Sequence, residues 1–306
     1  MLKNNFNTMS LRELGKQWLY FNKQSLKKST LQTYTVHFEN HIAQSELANC
    51  HPKDIEPEGI IRFSQKLLDK NLSPKTVNCI LLVLHSIFKF AKTMYGFSPP
   101  HIQYIKERKK ETRVLSSEEQ CRLEQHLKSD LNIHNLGIMF ALYTGVRVGE
   151  LCALKWEDIR DGTVRISKTM HRINDENGRS VVILDEPKTP SSYRIIPLPD
   201  FMNPIIERRR RNDKEFFLSS DKMPRVEPRI IQNRFKSVSK MCGIEGATFH
   251  TLRHTFATRC IECGFDAKTL SEILGHSDVK TTLNRYVHCS LELKKNSMNL
   301  LTKIAV

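Results

Sequence analysis

The sequence predicts a mainly α protein with a small antiparallel β-sheet, arranged as a helical first third and a mixed α/β remainder. Three observations carry this. The chain has 306 residues, room for two domains of about 150 residues each. Apolar residues recur at helical spacing, between recognisable caps, through the first hundred positions. Strand-like segments cluster between 163 and 198, with helical patterns on either side. Hydrophobic residues make up 39% and charged residues 26%, a balance that supports buried cores rather than disorder or a fibre. No apolar run approaches the roughly 18 residues of a membrane span, and the polar start of the chain does not read as a secretory signal.

The elements follow in order. Ser10 and Glu13 have capping-box spacing, and Leu11, Leu14, Trp18 and Phe21 then fall on one helical face. Ser29 and Gln32 repeat that signal before Leu31, Tyr34, Phe38 and Ile42. A shorter helix is expected around Ile60, Ile61, Phe63, Leu67 and Leu68. The fourth is the clearest: Ser73 caps it, Pro74 takes its first position, Gly96 closes it, and Val77, Ile80, Leu81, Leu84, Phe88, Ala91 and Tyr95 form its apolar stripe. These four helices are expected to form a small bundle over residues 1–105. Ser98-Pro99-Pro100 and the charged stretch Lys106–Arg113 read as a linker, placed at 106–114. Ser116 and Glu119 open the second domain, 115–306. Its helices are expected near 116–128, 132–143 and 147–155, and its strands at Thr163–Thr169, Ser180–Leu184 and Tyr193–Leu198. Helices return from about 201 onward.

Charge narrows the function. Lys plus Arg is 48 against 33 for Asp plus Glu, a formal +15 that favours a polyanionic partner. Residues 1–110 hold 17 of the basic and 8 of the acidic side chains, so the helical third is the more basic per residue. The eight cysteines show no disulfide or zinc pattern, with Cys260 and Cys263 the only close pair, which fits a reducing, cytoplasmic setting. A disulfide scaffold and a membrane protein are thereby disfavoured. The run Arg208–Arg211 reads as a solvated helix face before it reads as a phosphate contact.

Four segments carry chemistry. Thr144–Leu151 (TGVRVGEL) delivers Arg147 from a glycine turn to a helix start. Glu186–Leu198 (EPKTPSSYRIIPL) places Lys188 at the tip of an expected hairpin between the Ser180–Leu184 and Tyr193–Leu198 strands. His250–Thr258 (HTLRHTFAT) sets His250 and Arg253 three apart on one helix face. Leu274–His288 (LGHSDVKTTLNRYVH) breaks a helix at Gly275, follows it with His276, and brings Tyr286 ten residues later. Taken singly, each has an ordinary reading: a cap, a solvated loop, a packing tyrosine. His250 and His254 are spaced for a metal, but Thr251 stands where a zinc protease needs Glu, so no metal is expected.

Together the segments supply cations without an evident carboxylate base. Arginine forks suit a phosphodiester, whose oxygens gain charge in the transition state. A free tyrosine, pKa about 10, is a poor nucleophile at neutral pH unless cations surround it. No Walker loop or carboxylate cluster calls for ATP or Mg²⁺, so no cofactor is expected. Metal-free attack by Tyr286 on a DNA phosphate is the economical chemistry.

In order and content, these four segments resemble the catalytic signature of the tyrosine recombinase (phage integrase) family. The resemblance spans 144–288, and the helical first third resembles the family's core-binding domain. It implies that Arg147 and Arg253 clamp the scissile phosphate and that Lys188 protonates the leaving 5′ oxygen. His250 would assist proton transfer at the tyrosine, His276 would hydrogen-bond the phosphate, and Tyr286 would form a 3′-phosphotyrosyl bond. Glu150 matches a position that supports the Arg147 segment. The resemblance further implies a C-shaped clamp on double-stranded DNA and a homotetramer on two sites that works through a Holliday junction. The C-terminal stretch from Ser290, with Met298, Leu301 and Ala305 on one face, would be an exchange tail. Lys27, Lys28, Lys75, Lys89 and Lys92 lie on or near helices expected to face DNA.

With helices expected to start near Ser10, no extra N-terminal arm-site domain is expected. The chain thus resembles compact integrases of mobile elements and Xer-like recombinases, and the EPKTP wording leans toward phage or conjugative-transposon integrases. An excisionase or a host DNA-bending protein would be a fitting partner. The alternatives are Xer-like resolution of chromosome or plasmid dimers, a type IB topoisomerase-like activity, and a non-catalytic DNA-binding regulator. The regulator predicts decay of the catalytic set, yet all six residues are present.

Overall fold

The computed structural model describes residues 6–107, 112–174, 179–186, 190–210 and 213–286. The chain divides into two compact units, one holding Met1–Lys110 and the other most of the chain from Glu111 on.

In the first unit, α1 (Leu11–Asn22) begins with the expected capping box: Ser10 Oγ accepts from the Glu13 N–H, and the Glu13 carboxylate accepts from the Ser10 N–H at 2.8 Å. Leu11, Leu14 and Trp18 are buried as the periodicity requires. Phe21 is not. It lies half exposed beyond the stripe, packed on the rings of Tyr20 and Phe90. The second helix also departs from expectation. α2 (Lys28–His37) starts at Lys27 with no side-chain cap, so Ser29 sits inside the first turn and its carbonyl accepts from Thr33 Oγ1. A π-helical turn, Phe38–Ile42, then inserts one extra residue and swings Phe38 and Ile42 into the core, while α2 itself buries nothing fully.

Next come α3 (Pro57–Asp69) and α4 (Pro74–Tyr95). α4 has all its expected punctuation: Ser73 Oγ accepts from the Thr76 N–H, Pro74 leads, and Gly96 takes φ +70 at the end. By length and composition α4 could cross a bilayer, contrary to the expectation that no segment would. Its apolar side chains are instead the core of this unit: Val77, Ile80, Leu81, Val83, Leu84, Ile87, Phe88 and Ala91 are all buried against the neighbouring helices. After α4, the Asn78 side chain holds the Ile105 backbone through both its N–H and its carbonyl.

The second unit starts on another capping box, Ser116 with Glu119, before α5 (Ser117–Ser129). α6 (Ile133–Thr144) is apolar on all sides and runs through the middle of the core, buried from Asn135 to Leu142. The short α7 (Val148–Ala153) leads into β1 (Ile159–Arg160) and β2 (Thr163–Ile166). β3 (Thr169–Asn174) pairs with β4 (Ser180–Asp185) as a separate two-stranded element. β5 (Arg194–Pro197) pairs antiparallel with β2, giving the order β1-β2-β5. The expected strand 163–169 is therefore two strands in different sheets. The expected hairpin between 180–184 and 193–198 does not form, because β4 takes β3 as its partner and β5 takes β2. Lys188, expected at the tip of that hairpin, lies outside the described residues.

The helices α8 (Met202–Glu207), α9 (Pro228–Met241), α10 (Phe249–Glu262), α11 (Ala267–Leu274) and α12 (Val279–Tyr286) complete the unit. Arg208 and Arg209 are exposed, as expected of the arginine run, but the run lies past the helix rather than on it. α8 stops at Glu207; Arg209 donates to the Leu131 carbonyl, and Arg210 lies over the Trp156 ring and donates to the Ile159 carbonyl at 3.0 Å. These guanidiniums tie the end of α8 to neighbouring loops. Arg211 lies outside the described residues, as does the C-terminal tail with Met298, Leu301 and Ala305.

Candidate active site

The site assembles around one turn, Leu274–His276, between α11 and α12. Gly275 holds φ +66 there, a conformation that glycine adopts freely and other residues resist. Space demands glycine as well: a Cβ would lie 3.1 Å from Arg194 Cδ and Nη1 and 3.1 Å from the Ser191 carbonyl oxygen.

Three arginines converge on this turn. Arg253, on α10, has a buried guanidinium that donates to the Gly145 carbonyl at 2.8 Å and the Leu274 carbonyl at 2.7 Å. It thus fastens the C-terminal end of α6 to that of α11, where helix carbonyls point outward and favour a cation. Arg147 stands immediately before α7. Its N–H donates to Glu150 Oε2 at 2.9 Å, its Nη1 to Glu150 Oε1 at 2.6 Å, and its Nη2 to the Gly275 carbonyl at 3.4 Å. Arg194 enters from β5. Its Nη1 and Nη2 donate to the two Glu150 oxygens at 3.2 and 2.8 Å, and its Nε to the Ile273 carbonyl at 2.6 Å.

Glu150 is the anion that organises this set. Burial alone would raise its pKa, but hydrogen bonds and charge from Arg194, together with Arg147, hold it at about 2. It is therefore ionised at any working pH and shared by two guanidiniums, while the third, Arg253, is held by backbone carbonyls at the same turn. The surplus positive charge suits a phosphate.

The histidines flank the arginines. His276 is half buried, with Nδ1 2.8 Å from the fully buried Thr282 Oγ1 on α12, which orients the ring. His250 is exposed one turn before Arg253, its ring edge-on to His254 at 4.5 Å. Among the described residues, no group of three His, Cys, Asp or Glu side chains could hold a metal ion. α12, packed on α10 and α11, ends at Tyr286. The Tyr286 side chain lies outside what is described, as does all of Lys188. The structure thus brings Arg147, Arg253 and His276 to one turn, carries His250 on the helix of Arg253, and ends α12 at Tyr286. The five lysines singled out, Lys27, Lys28, Lys75, Lys89 and Lys92, are all exposed on the first unit.

Arg194 is the residue that motif reading missed, although it lies inside the EPKTPSSYRIIPL segment. A signal was present. Strand alternation puts Arg194 on the same face as Ile196, which is buried, while Tyr193 and Ile195 point to solvent. A charge on the inward face of a strand requires a buried partner, and Glu150 is that partner.

Residues 113–292 match the model of the phage integrase family. The chain is 28% identical to a XerC-like tyrosine recombinase of Caldanaerobacter subterraneus subsp. tengcongensis, over 98% of this chain and 85% of that protein. It is 23% identical to tyrosine recombinase XerD of Rickettsia bellii, over 90% of this chain and 93% of that protein. Among solved structures, the integrase of transposon Tn1549 in complex with circular intermediate DNA superposes with a TM-score of 0.81 at 22% identity, covering 96% of this chain and all of that one. A lambda integrase tetramer bound to a Holliday junction superposes with a TM-score of 0.69 at 19% identity, covering 93% and 80%. The structural likenesses speak for the fold, and the family match, which spans more than half of the sequence, speaks for descent. The chain belongs to the phage integrase family, the tyrosine recombinases.

Proposed function

We propose that the protein recombines DNA at specific sites through a covalent tyrosyl intermediate, serving integration or excision of a mobile element. The observation that carries this reading is the meeting of Arg147, Arg253 and His276 at one turn, with the helix that follows ending at Tyr286. Arg147 and Arg253 take the non-bridging oxygens of the scissile phosphate. Tyr286 Oη attacks phosphorus and gives up its proton toward His250. The bond from phosphorus to the 5′ oxygen breaks, Lys188 supplies the proton to that oxygen, and a 3′-phosphotyrosyl bond remains. His276 donates to the phosphate. The covalent bond retains the energy of the phosphodiester, so rejoining needs neither ATP nor metal.

The exposed Lys27, Lys28, Lys75, Lys89 and Lys92 contribute phosphate contacts along the duplex. Strand exchange requires two sites, hence a homotetramer and a Holliday junction, in the cytoplasm where the DNA lies, with an excisionase or DNA-bending protein as a fitting partner. A lambda integrase tetramer has been seen on such a junction, and the Tn1549 integrase on transposon-end DNA, which supports both parts of the reading. A second reading, Xer-like resolution of chromosome or plasmid dimers, is favoured by the names of the sequence relatives.

The test works for a target site of any sequence. Nicked duplexes tiled across the DNA flanking the gene, together with a randomised nicked library, are incubated with protein in EDTA, and covalent adducts are recovered under denaturing conditions. Wild type should yield an adduct on a defined sequence and Tyr286→Phe none. Binding without an adduct on any duplex would overturn the proposal. Exchange between two captured sites separates recombination from simple relaxation, and capture from an element end rather than a chromosomal site decides between the two biological roles.

A further inference from the structure

Arg194 invites a role of its own. Its side chain is 5% exposed, as is that of Glu150, and the two form a buried ion pair at 2.8 Å. Such a pair is seldom worth its desolvation as a source of stability alone. Its geometry is directional. The Ile273 carbonyl fixes Arg194 Nε at 2.6 Å and the Ser192 carbonyl accepts from Nη1 at 3.1 Å, so the guanidinium is held before it meets Glu150. Its two terminal nitrogens then reach both carboxylate oxygens. Arg147 uses only one terminal nitrogen on the carboxylate, at Oε1, and its side chain stays 38% exposed.

We infer that Arg194 is a positioning residue for Arg147: by occupying both oxygens of Glu150 it keeps the carboxylate from drawing in the whole Arg147 guanidinium, and so leaves part of that guanidinium turned outward for a phosphate. The inference rests on the proposed role of Arg147 at the scissile phosphate. The ionised groups that act on Glu150 are Arg147 from the start of α7 and Arg194 from β5, while the 273–275 turn faces these arginines with carbonyls. With Arg194 removed, a buried carboxylate would keep one cation. Arg147 would then close onto it with both terminal nitrogens, and the positive charge offered to DNA would fall by one.

This separates a positioning role from a bracing one. Adduct formation is followed in single turnover on the nicked duplex that wild type captures, beside binding of the same duplex. Arg194→Met should slow adduct formation about 30-fold or more at pH 7.5 with a smaller change in binding. Adding Glu150→Gln should restore about 10-fold of that loss, because a neutral amide no longer draws in Arg147. The deficit of Arg194→Met relative to wild type should also shrink as pH falls. Without Arg194 burial raises the Glu150 pKa, and protonated Glu150 releases Arg147. No rescue by Glu150→Gln and no pH-dependent recovery would overturn the inference, since a mere brace between β5 and the 273–275 turn would be lost equally in both variants.

If Arg194→Met does not fold, Arg194→Lys decides. A single ammonium cannot cover both Glu150 oxygens, so slowed adduct formation that Glu150→Gln partly restores supports the inference, and a loss that Glu150→Gln leaves unchanged contradicts it. If wild type forms no adduct on any duplex, the functional reading fails, and carbon-13 NMR of the Glu150 carboxyl, which needs no DNA, still decides. Arg194→Met (or Arg194→Lys, to a lesser degree) should move its titration upward, with the Arg147 guanidinium nitrogen resonances shifting in step. An unmoved titration would refute the inference.

Discussion

Gly275→Ala perturbs the site at its centre, and the structure sets the size of the effect. The residue sits at φ +66, where an L side chain costs about 1 kcal/mol in backbone strain. The new Cβ would also stand 3.1 Å from Arg194 Cδ, Arg194 Nη1 and the Ser191 carbonyl oxygen. Arg194 is pinned by its bonds to Ile273, Ser192 and Glu150, and the Ser191 oxygen is backbone, so neither yields easily. Overpacking of this kind adds about 1–2 kcal/mol. The total, about 2–3 kcal/mol, has an internal control in Gly243→Ala. That glycine has nearly the same angle, φ +64, but no atom within 4 Å of the added Cβ, so only the backbone cost of about 1 kcal/mol applies. Urea denaturation of both variants measures the difference. Gly275→Ala should also slow adduct formation about 10-fold or more, because the Gly275 carbonyl accepts from Arg147 and the displaced Arg194 disturbs Glu150. Equal destabilisation of the two variants, with adduct formation intact in both, would refute the packing argument for this turn.

Three further outcomes follow from the same geometry. Glu150, held at about 2 in the folded chain against an ordinary carboxylate value near 4.5, contributes stability above the unfolded value that is lost as pH falls toward 2. The loss is on the order of 3 kcal/mol, so in urea melts wild type should weaken more than Glu150→Gln between pH 5 and pH 3. Thr282→Val removes the partner of His276 Nδ1 and should slow adduct formation about 10-fold while binding holds; an unchanged rate would show that the ring is oriented by other means. Binding should weaken steeply with salt, and replacing both Lys89 and Lys92 by Ala should lower the slope of log K against log salt by about 2.

Legibility in the sequence tracked the range of the interactions involved. The Ser10 and Ser116 capping boxes and the Ser73-to-Gly96 helix are read correctly because caps act within one turn. α2 is misread because its start lacks a side-chain cap, and a π-helical turn resets the phase of Phe38 and Ile42. Strand pairing is misread because β2 chooses β5 across nearly thirty residues, past β3 and β4, and local pattern carries no record of that choice. In the candidate site, Arg147, Arg253 and His276, which meet at one turn, stand out from motifs. Arg194 does not, since its role depends on a carboxylate 44 positions away. The contacts of the arginine run are illegible for a similar reason: the carbonyls and the Trp156 ring that meet Arg209 and Arg210 come from distant loops.

The most direct measurement is the chemical identity of the protein–DNA bond. Adduct formed in EDTA on a captured nicked duplex is digested with protease and nuclease, and the nucleotide-bearing peptide is sequenced by mass spectrometry. A 3′-phosphate on Tyr286, absent when Tyr286→Phe is used, is the predicted result. An adduct carried by another side chain, or one that persists in Tyr286→Phe, would contradict it.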